Sequence, residues 1–309
     1  MTPAGTPPAA YEPVLREIAP GVFAYEQADG GWCLNNAGVL VSGRDVAVVD
    51  TAATERRARR LRSAIASVTG AAPRILVNTH FHGDHSFGNF VFAPDAVIVA
   101  CEAARREMAV ADLHMQSLWP EVDWGDITVA LPDLTYRDRA TLHVGDLTAE
   151  LIHLENAHTT TDTVVWIPER SVLFAGDIVM NGVTPFCLMG SVEGSLEALA
   201  RLRALGARTI VPGHGPVGGP EVLDANERYL RWLQRLAAEG KAAGLSPLEL
   251  ARATDLAEFG ALLDSERLAA NLHRAYADTG PEPRGHRLDV AAIFEEMTEF
   301  HGGRPLCRA

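Results

Sequence analysis

The chain has 309 residues, 47% hydrophobic and 22% charged, which is enough for a large soluble core in one domain with or without an addition. Its formal net charge of −13 argues against nucleic-acid binding through a broad cationic face. No 18-residue apolar run is present, so no membrane-spanning helix is predicted, and Cys33, Cys101, Cys187 and Cys307, far apart and without C-x-x-C spacing, read as reduced thiols of a cytoplasmic protein.

Residues 1–15 open with Pro and Ala and lack a charged segment followed by an apolar one, so they read as a flexible tail, not a signal peptide. Gly21 to Glu26 and Cys33 to Val41 read as strands joined through Gly30-Gly31, and Asp45 to Asp50 as a further strand ending on a carboxylate. Thr54 to Ser67 is predicted helical from its Thr cap, with Gly70 beyond its end. Arg74 to Thr79 and Asp95 to Ala100 read as strands, and Glu102 to Ala111 as a helix. Thr141 to Val144, Thr148 to Leu154, Thr163 to Ile167 and Ser171 to Phe174 have the spacing of an antiparallel meander, with turns at Gly145-Asp146 and Pro168-Glu169-Arg170. Then come a helix over Ser195 to Leu205, a strand over Thr209 to Val211 and a helix over Pro220 to Glu239.

Two strand-rich halves, each followed by helices, suggest a layered helix–sheet–sheet–helix sandwich over residues 16–240. A break at Gly240 to Gly244 precedes a helical appendage, residues 241–309. Within it Ser246-Pro247-Leu248-Glu249 starts one helix, and Ser265 to Ala277 and Leu288 to Phe300 form two more, the last closed by Gly302-Gly303.

The chemistry is concentrated in His80-Phe81-His82-Gly83-Asp84-His85, directly after a predicted strand. Neutral imidazole and carboxylate are donors that Zn²⁺ favours, and Gly83 lets the backbone turn so that neighbouring side chains converge. The plain alternative is surface or satisfied core histidines, but chance rarely places three of eleven histidines in six residues. His158, Asp177 and His214 each follow an apolar run beside small residues, where rigid strands can aim loop side chains at a common point. His114, His143, His153, His273, His286 and His301 lack such spacing and read as structural or surface residues; Cys187 has no evident base.

The series His-x-His-x-Asp-His, His158, Asp177 and Gly213-His214-Gly215 resembles the ligand series of the metallo-β-lactamase superfamily over roughly residues 20–235, with Asp50 at the place of its structural aspartate. The resemblance implies an α/β fold, an αββα sandwich with the metals along one sheet edge. It implies two Zn²⁺, one on His80, His82 and His158, the other on Asp84, His85 and His214, with Asp177 bridging. Two such ions ~3.5–4 Å apart can lower the pKa of a shared water towards ~7 and polarise a carbonyl, while Asp84 orients the nucleophile and moves its proton. His rather than Glu at position 82 favours zinc over a redox di-iron site.

The segments Gly30 to Gly38, Asn78 to Asn89, Leu118 to Gly125 and Val179 to Phe186 resemble the metallo-β-lactamase-fold cyclases of bacterial aromatic polyketide pathways, the actinorhodin-type bifunctional cyclase/thioesterases. The likeness continues through Arg228 to Trp232 and the helical tail. It implies closure of the second ring by intramolecular aldol condensation and hydrolysis of the thioester to an acyl carrier protein. Trp32, Trp119, Met180, Val183, Phe186 and Leu188 are the candidate apolar wall for an aromatic substrate, and Asn36 a polar contact; each is alternatively a core residue. Arg56, Arg57, Arg59, Arg60 and Arg62 either dock an acidic carrier protein or form a solvated helix face with local ion pairs. A simple zinc hydrolase of a small thioester or lactone is the rival reading, and a homodimer stays open.

Overall fold

The computed structural model describes residues 12–27 and 29–309. Most of the predicted N-terminal tail lies outside the described residues. Its boundary at 15 is corrected, because Val14 and Leu15 already pair with Glu26 and Tyr25.

The first sheet has seven strands in chain order: β1 (Val14–Ala19), β2 (Val22–Glu26), β3 (Ala37–Ser42), β4 (Asp45–Val49), β5 (Ile75–Val77), β6 (Val97–Cys101) and β7 (Leu134–Tyr136). β1 to β4 run antiparallel; β4 to β7 pair in parallel. Between them lie α1 (Glu55–Val68), the single turns α2 (Gly83–Ser86) and α3 (Asn89–Phe92), α4 (Glu102–Ala111) and α5 (Met115–Leu118). The second sheet has the order β12-β11-β10-β9-β8, from β8 (Arg139–Val144), β9 (Leu147–Leu154), β10 (Asp162–Ile167), β11 (Val172–Met180) and β12 (Thr209–His214). β8 to β11 form the expected antiparallel meander, and β12 adds in parallel after α6 (Val192–Leu205). The chain ends in α7 (Glu221–Ala242), α8 (Pro247–Ala253), α9 (Arg267–Ala277) and α10 (Val290–His301).

Strand periodicity builds the layers. Along β4, Ala47 and Val49 face the second sheet and pack with Leu40, Leu151 and Phe174, while Val46 and Val48 face outward and pack under Leu61 and Ile65 of α1. The outer face of the second sheet, with Val164 and Leu173, is covered by Leu199 and Leu202 of α6 and Leu230 and Leu233 of α7. The result is the expected helix–sheet–sheet–helix order.

The C-terminal helices of the expected appendage pack against this body. Leu250 of α8 and Leu268 and Leu272 of α9 are buried in the same cluster as α6 and α7. The expected break at Gly240 to Gly244 contains the end of α7, which runs to Ala242, three residues beyond the expected Glu239. Gly240 stands where α8 crosses, and a Cβ there would lie 2.3 Å from Leu250 Cδ2. The Ser246–Glu249 capping box starts α8 as predicted. No helix among the described residues is long and apolar enough to cross a membrane.

Candidate metal centre

The seven predicted donors converge at one end of the two sheets. β5 delivers His80 and His82, and the α2 turn, whose first residue is Gly83, presents Asp84 and His85. His158 follows β9, Asp177 lies within β11 and His214 ends β12. The β11–β12 register shifts between Phe174 and Gly176 and again before Met180, an irregularity that turns Asp177 toward the cluster. Gly213 passes so close that a Cβ there would lie 1.8 Å from Asp177 Oδ1.

The donors form two groups, His80, His82, His158 and Asp177, and Asp84, His85 and His214, all buried. His82 Nδ1 lies 3.1 Å from His80 Nε2 and 3.0 Å from His158 Nε2. Asp177 spans both groups: Oδ2 is 3.4 Å from His158 Nε2 and 3.4 Å from His214 Nε2, and Oδ1 is 3.0 Å from His85 Nε2. Asp84 Oδ2 is 3.2 Å from His214 Nε2.

The outer ring nitrogens settle which inner ones are bare. His158 Nδ1 donates to Phe186 O, His214 Nδ1 to Gly30 O at 3.0 Å and His85 Nδ1 to Asp50 Oδ2 at 2.8 Å. Thr79 Oγ1 donates to Asp50 Oδ2 at 2.6 Å and accepts from His80 Nδ1 at 3.0 Å. The inner donor atoms therefore crowd together, and His85 Nε2 and Asp177 Oδ1 among them have no hydrogen-bond partner although buried. Such an arrangement is costly alone and suited to divalent cations, so the donor set fits the expected metals.

Electrostatics divides the groups. Burial, then His85, holds His80 well below the usual imidazole range. Burial, then His158, brings His82 to about 3, and burial also lowers His158. Burial opposes the charge on His85 and His214, but Asp177 and the neighbouring carboxylates outweigh it, raising His85 well above its ordinary value and His214 to about 9. Burial likewise opposes ionisation of Asp84, yet His85 and His214 bring it down to about 2; the histidines around Asp177 hold it well below the carboxylate range. One half offers neutral imidazoles and the other charge-paired ones.

Supporting residues that sequence reasoning missed surround these donors. Asp162 closes the turn after His158, accepting from Thr159 N at 2.8 Å and Thr159 Oγ1 at 2.7 Å. Asn78 and Asn89 exchange amide hydrogen bonds of 3.0 and 2.8 Å beneath the α2 turn, and Asn78 also donates to His85 O. Asp50 itself sits at φ 60° and accepts from Thr79 N at 2.7 Å.

Within the matched region, the sequence profile of the metallo-beta-lactamase superfamily covers residues 30–214. The chain belongs to the metallo-β-lactamase superfamily. A metallo-beta-lactamase type 2 of Bacteroides fragilis is 22% identical over 207 residues, 65% of this chain and 77% of that protein. The acyl-coenzyme A thioesterases MBLAC2 of Bos taurus and Homo sapiens are each 27% identical over 169 residues, and this chain spans 59% of their length. Among solved structures, a metallo-beta-lactamase from Pontibacter korlensis superposes with a TM-score of 0.60 at 20% identity, covering 71% of this chain and 99% of that one. The DIM-1 metallo-beta-lactamase gives 0.57 at 19% identity, covering 72% of this chain and 98% of that one. The centre is thus a metallo-β-lactamase-type hydrolase site with a metal-binding donor set.

Beside it opens a cleft of about 840 Å³ with His82 and Gly83 in its wall. Its apolar lining comes from Phe81, Phe87, Val110, Leu113, Met115, Leu118, Met189, Leu288 and Val290. None of the predicted wall residues Trp32, Asn36, Trp119, Met180, Val183, Phe186 or Leu188 lines it. The six apolar ones instead pack into a cluster with Phe294 and Met297. Trp119 is fully buried with Nε1 donating to Pro305 O at 2.7 Å, and Trp32 stacks against Trp119 and Phe186 at 5.4 Å. Asn36 braces the His214 loop by donating to Pro212 O at 2.9 Å and Gly215 O at 2.7 Å. Conversely, His114 and His286, read as merely structural or surface, line the cleft. Four of the five arginines of α1 are engaged locally: Arg57 with Gln27 and Arg308 O, Arg59 with Glu55, Arg60 with Glu12 and Arg62 with Asp95. Arg59, Arg60 and Arg62 thus form an ion-paired helix face.

Proposed function

We propose that the protein is a di-zinc cyclase/thioesterase acting on an aromatic polyketide intermediate carried as a thioester by an acyl carrier protein. The observation that carries this reading is the apolar cleft of about 840 Å³ abutting His82, near the top of the ~300–1,000 Å³ range of small-molecule sites. A short acyl group would leave most of it unfilled, whereas a flat polycyclic chain can lie along Phe81, Leu113, Met115 and Leu118. The distant similarity to acyl-coenzyme A thioesterases supports thioester cleavage as the hydrolytic half.

His80, His82 and His158 would hold one cation and Asp84, His85 and His214 the other, with Asp177 shared. When bound, the cations supply an acidified water and a polarised carbonyl. Asp84, ionised at neutral pH, orients the attacking water toward the thioester and takes its proton. In ring closure the same carboxylate can move the proton between the carbon acid and the new alkoxide, while the cleft wall holds the two reacting carbons close.

Incubation of the purified protein with a carrier-bound bicyclic polyketide should release free thiol together with a product bearing one additional ring, and both should stop with chelator. Release without ring formation would favour the second reading, a hydrolase of small thioesters or lactones, for which the thioesterase relatives are the specific support.

A further inference from the structure

Helix α9 carries polar side chains at three core positions. Arg267, Asn271 and Arg274 lie on one stripe of the helix, and each is no more than 1% exposed. Apolar residues at these places would avoid the cost of burying two guanidinium groups. Four of their backbone hydrogen bonds go to one short segment, residues 184–188, between β11 and α6; others go to Met180 Sδ, Asp264, Tyr229 and His286 O.

The pattern is close to complete. Arg267 Nη1 donates to Thr184 O at 3.0 Å. Asn271 Nδ2 donates to Pro185 O at 2.7 Å, and its Oδ1 accepts from Cys187 N at 3.0 Å. Arg274 Nε donates to Leu188 O at 2.9 Å. α9 leaves two carbonyls of the segment free: Cys187 O accepts from Gly190 N, and Phe186 O accepts from His158 Nδ1. A second arm starts at Arg267, whose guanidinium carbon stacks 4.1 Å from the Trp32 ring. Trp32 Nε1 donates to Glu266 Oε1 at 2.6 Å, at the start of the same helix. The Trp32 loop carries Gly30, whose carbonyl accepts from His214 Nδ1 at 3.0 Å. One C-terminal helix thus braces the two carbonyls that fix the ring orientation and tautomer of one histidine in each donor group.

We propose that Arg267, Asn271 and Arg274 are positioning residues of the metal centre, holding segment 184–188 in the register that presents Phe186 O to His158. Asn271 acts on the His158 side, and Arg267 acts on both sides. The inference rests on the reading of His158 and His214 as metal ligands.

The test is stepwise cation binding by the full-length, metal-stripped protein, followed by calorimetry and by the absorption spectrum of added Co²⁺. Asn271→Leu keeps the branched shape and removes the hydrogen bonds to Pro185 O, Cys187 and Tyr229 OH. It should weaken binding at the His80–His82–His158 group by about 10–100-fold, the usual effect of losing a group that orients a ligand, and alter that ion's spectrum. The Asp84–His85–His214 group should be unaffected. Arg267→Lys keeps the charge but loses the fork that joins Thr184 O to Asp264, so it should disturb both groups. Leu250→Ala, in the core but outside this network, should lower the melting temperature and leave both affinities unchanged. Wild-type affinity for both cations in Asn271→Leu and Arg267→Lys would overturn the positioning role. If Asn271→Leu does not fold without metal, Arg267→Lys alone decides the matter by the same two readouts. A wild-type protein that binds no cation would instead overturn the ligand reading on which the inference stands.

Discussion

Asp177 touches both donor groups, so its placement matters more than that of any single histidine. Its position depends on backbone that is not itself a ligand: the irregular β11–β12 pairing and the bare Cα of Gly213. Gly213→Ala would force a Cβ into the carboxylate and push Asp177 aside. A displacement near 1 Å commonly costs about 10²-fold, so hydrolysis of a chromogenic thioester should fall by about that factor in kcat/KM with the fold retained. Wild-type turnover in this variant would show that Asp177 need not sit where it does. The donors were legible in the sequence because each follows an apolar strand run, and strand ends aim side chains reproducibly. The residues behind them were not, because Thr79, Asp162 and the Asn78–Asn89 pair act through hydrogen bonds that leave no spacing pattern.

Among the elements, α1 shows which forces position the first sheet. Its buried stripe of Ala58, Leu61 and Ile65 packs on Val39, Val48 and Leu76, while its arginines form mostly exposed pairs. Leu61→Ala should cost about 2–5 kcal/mol in a denaturant titration, and Arg60→Ala under about 1 kcal/mol. Equal losses would mean that the pairs, not the apolar stripe, hold the helix. The Thr54 cap of α1 and the caps of α8 and α10 were legible, since those signals are local. β1 and β7 were not: both are short edge strands with largely exposed residues, and neither shows an apolar run. Gly240 read as a helix end because the crossing of α8, which makes its missing side chain necessary, lies outside any local window.

For the molecule as a whole, the two sheets set the donors and the C-terminal helices complete the surroundings. The layered fold followed from strand order and the grouping of the ligands from the family resemblance, but the cleft followed from neither. Trp32, Trp119 and Phe186 sit in loops next to the ligands, yet their large rings turn inward to pack with α10. Beyond residues 81–87 and Met189, the lining comes from α4, α5 and residues 285–290, segments far apart in sequence and without a motif. Met115→Trp should narrow that cleft, raising KM for a polycyclic thioester about tenfold while leaving an acetyl thioester unchanged. An equal effect on both substrates would remove the cleft as the determinant of substrate size. The most direct test of the whole account is elemental analysis of the active protein, alone and as His158→Ala and His214→Ala. Two zinc equivalents per chain in the wild type and one in each variant, with activity lost in both, is the predicted result. Full activity with no zinc, or with unchanged zinc content in both variants, would contradict it.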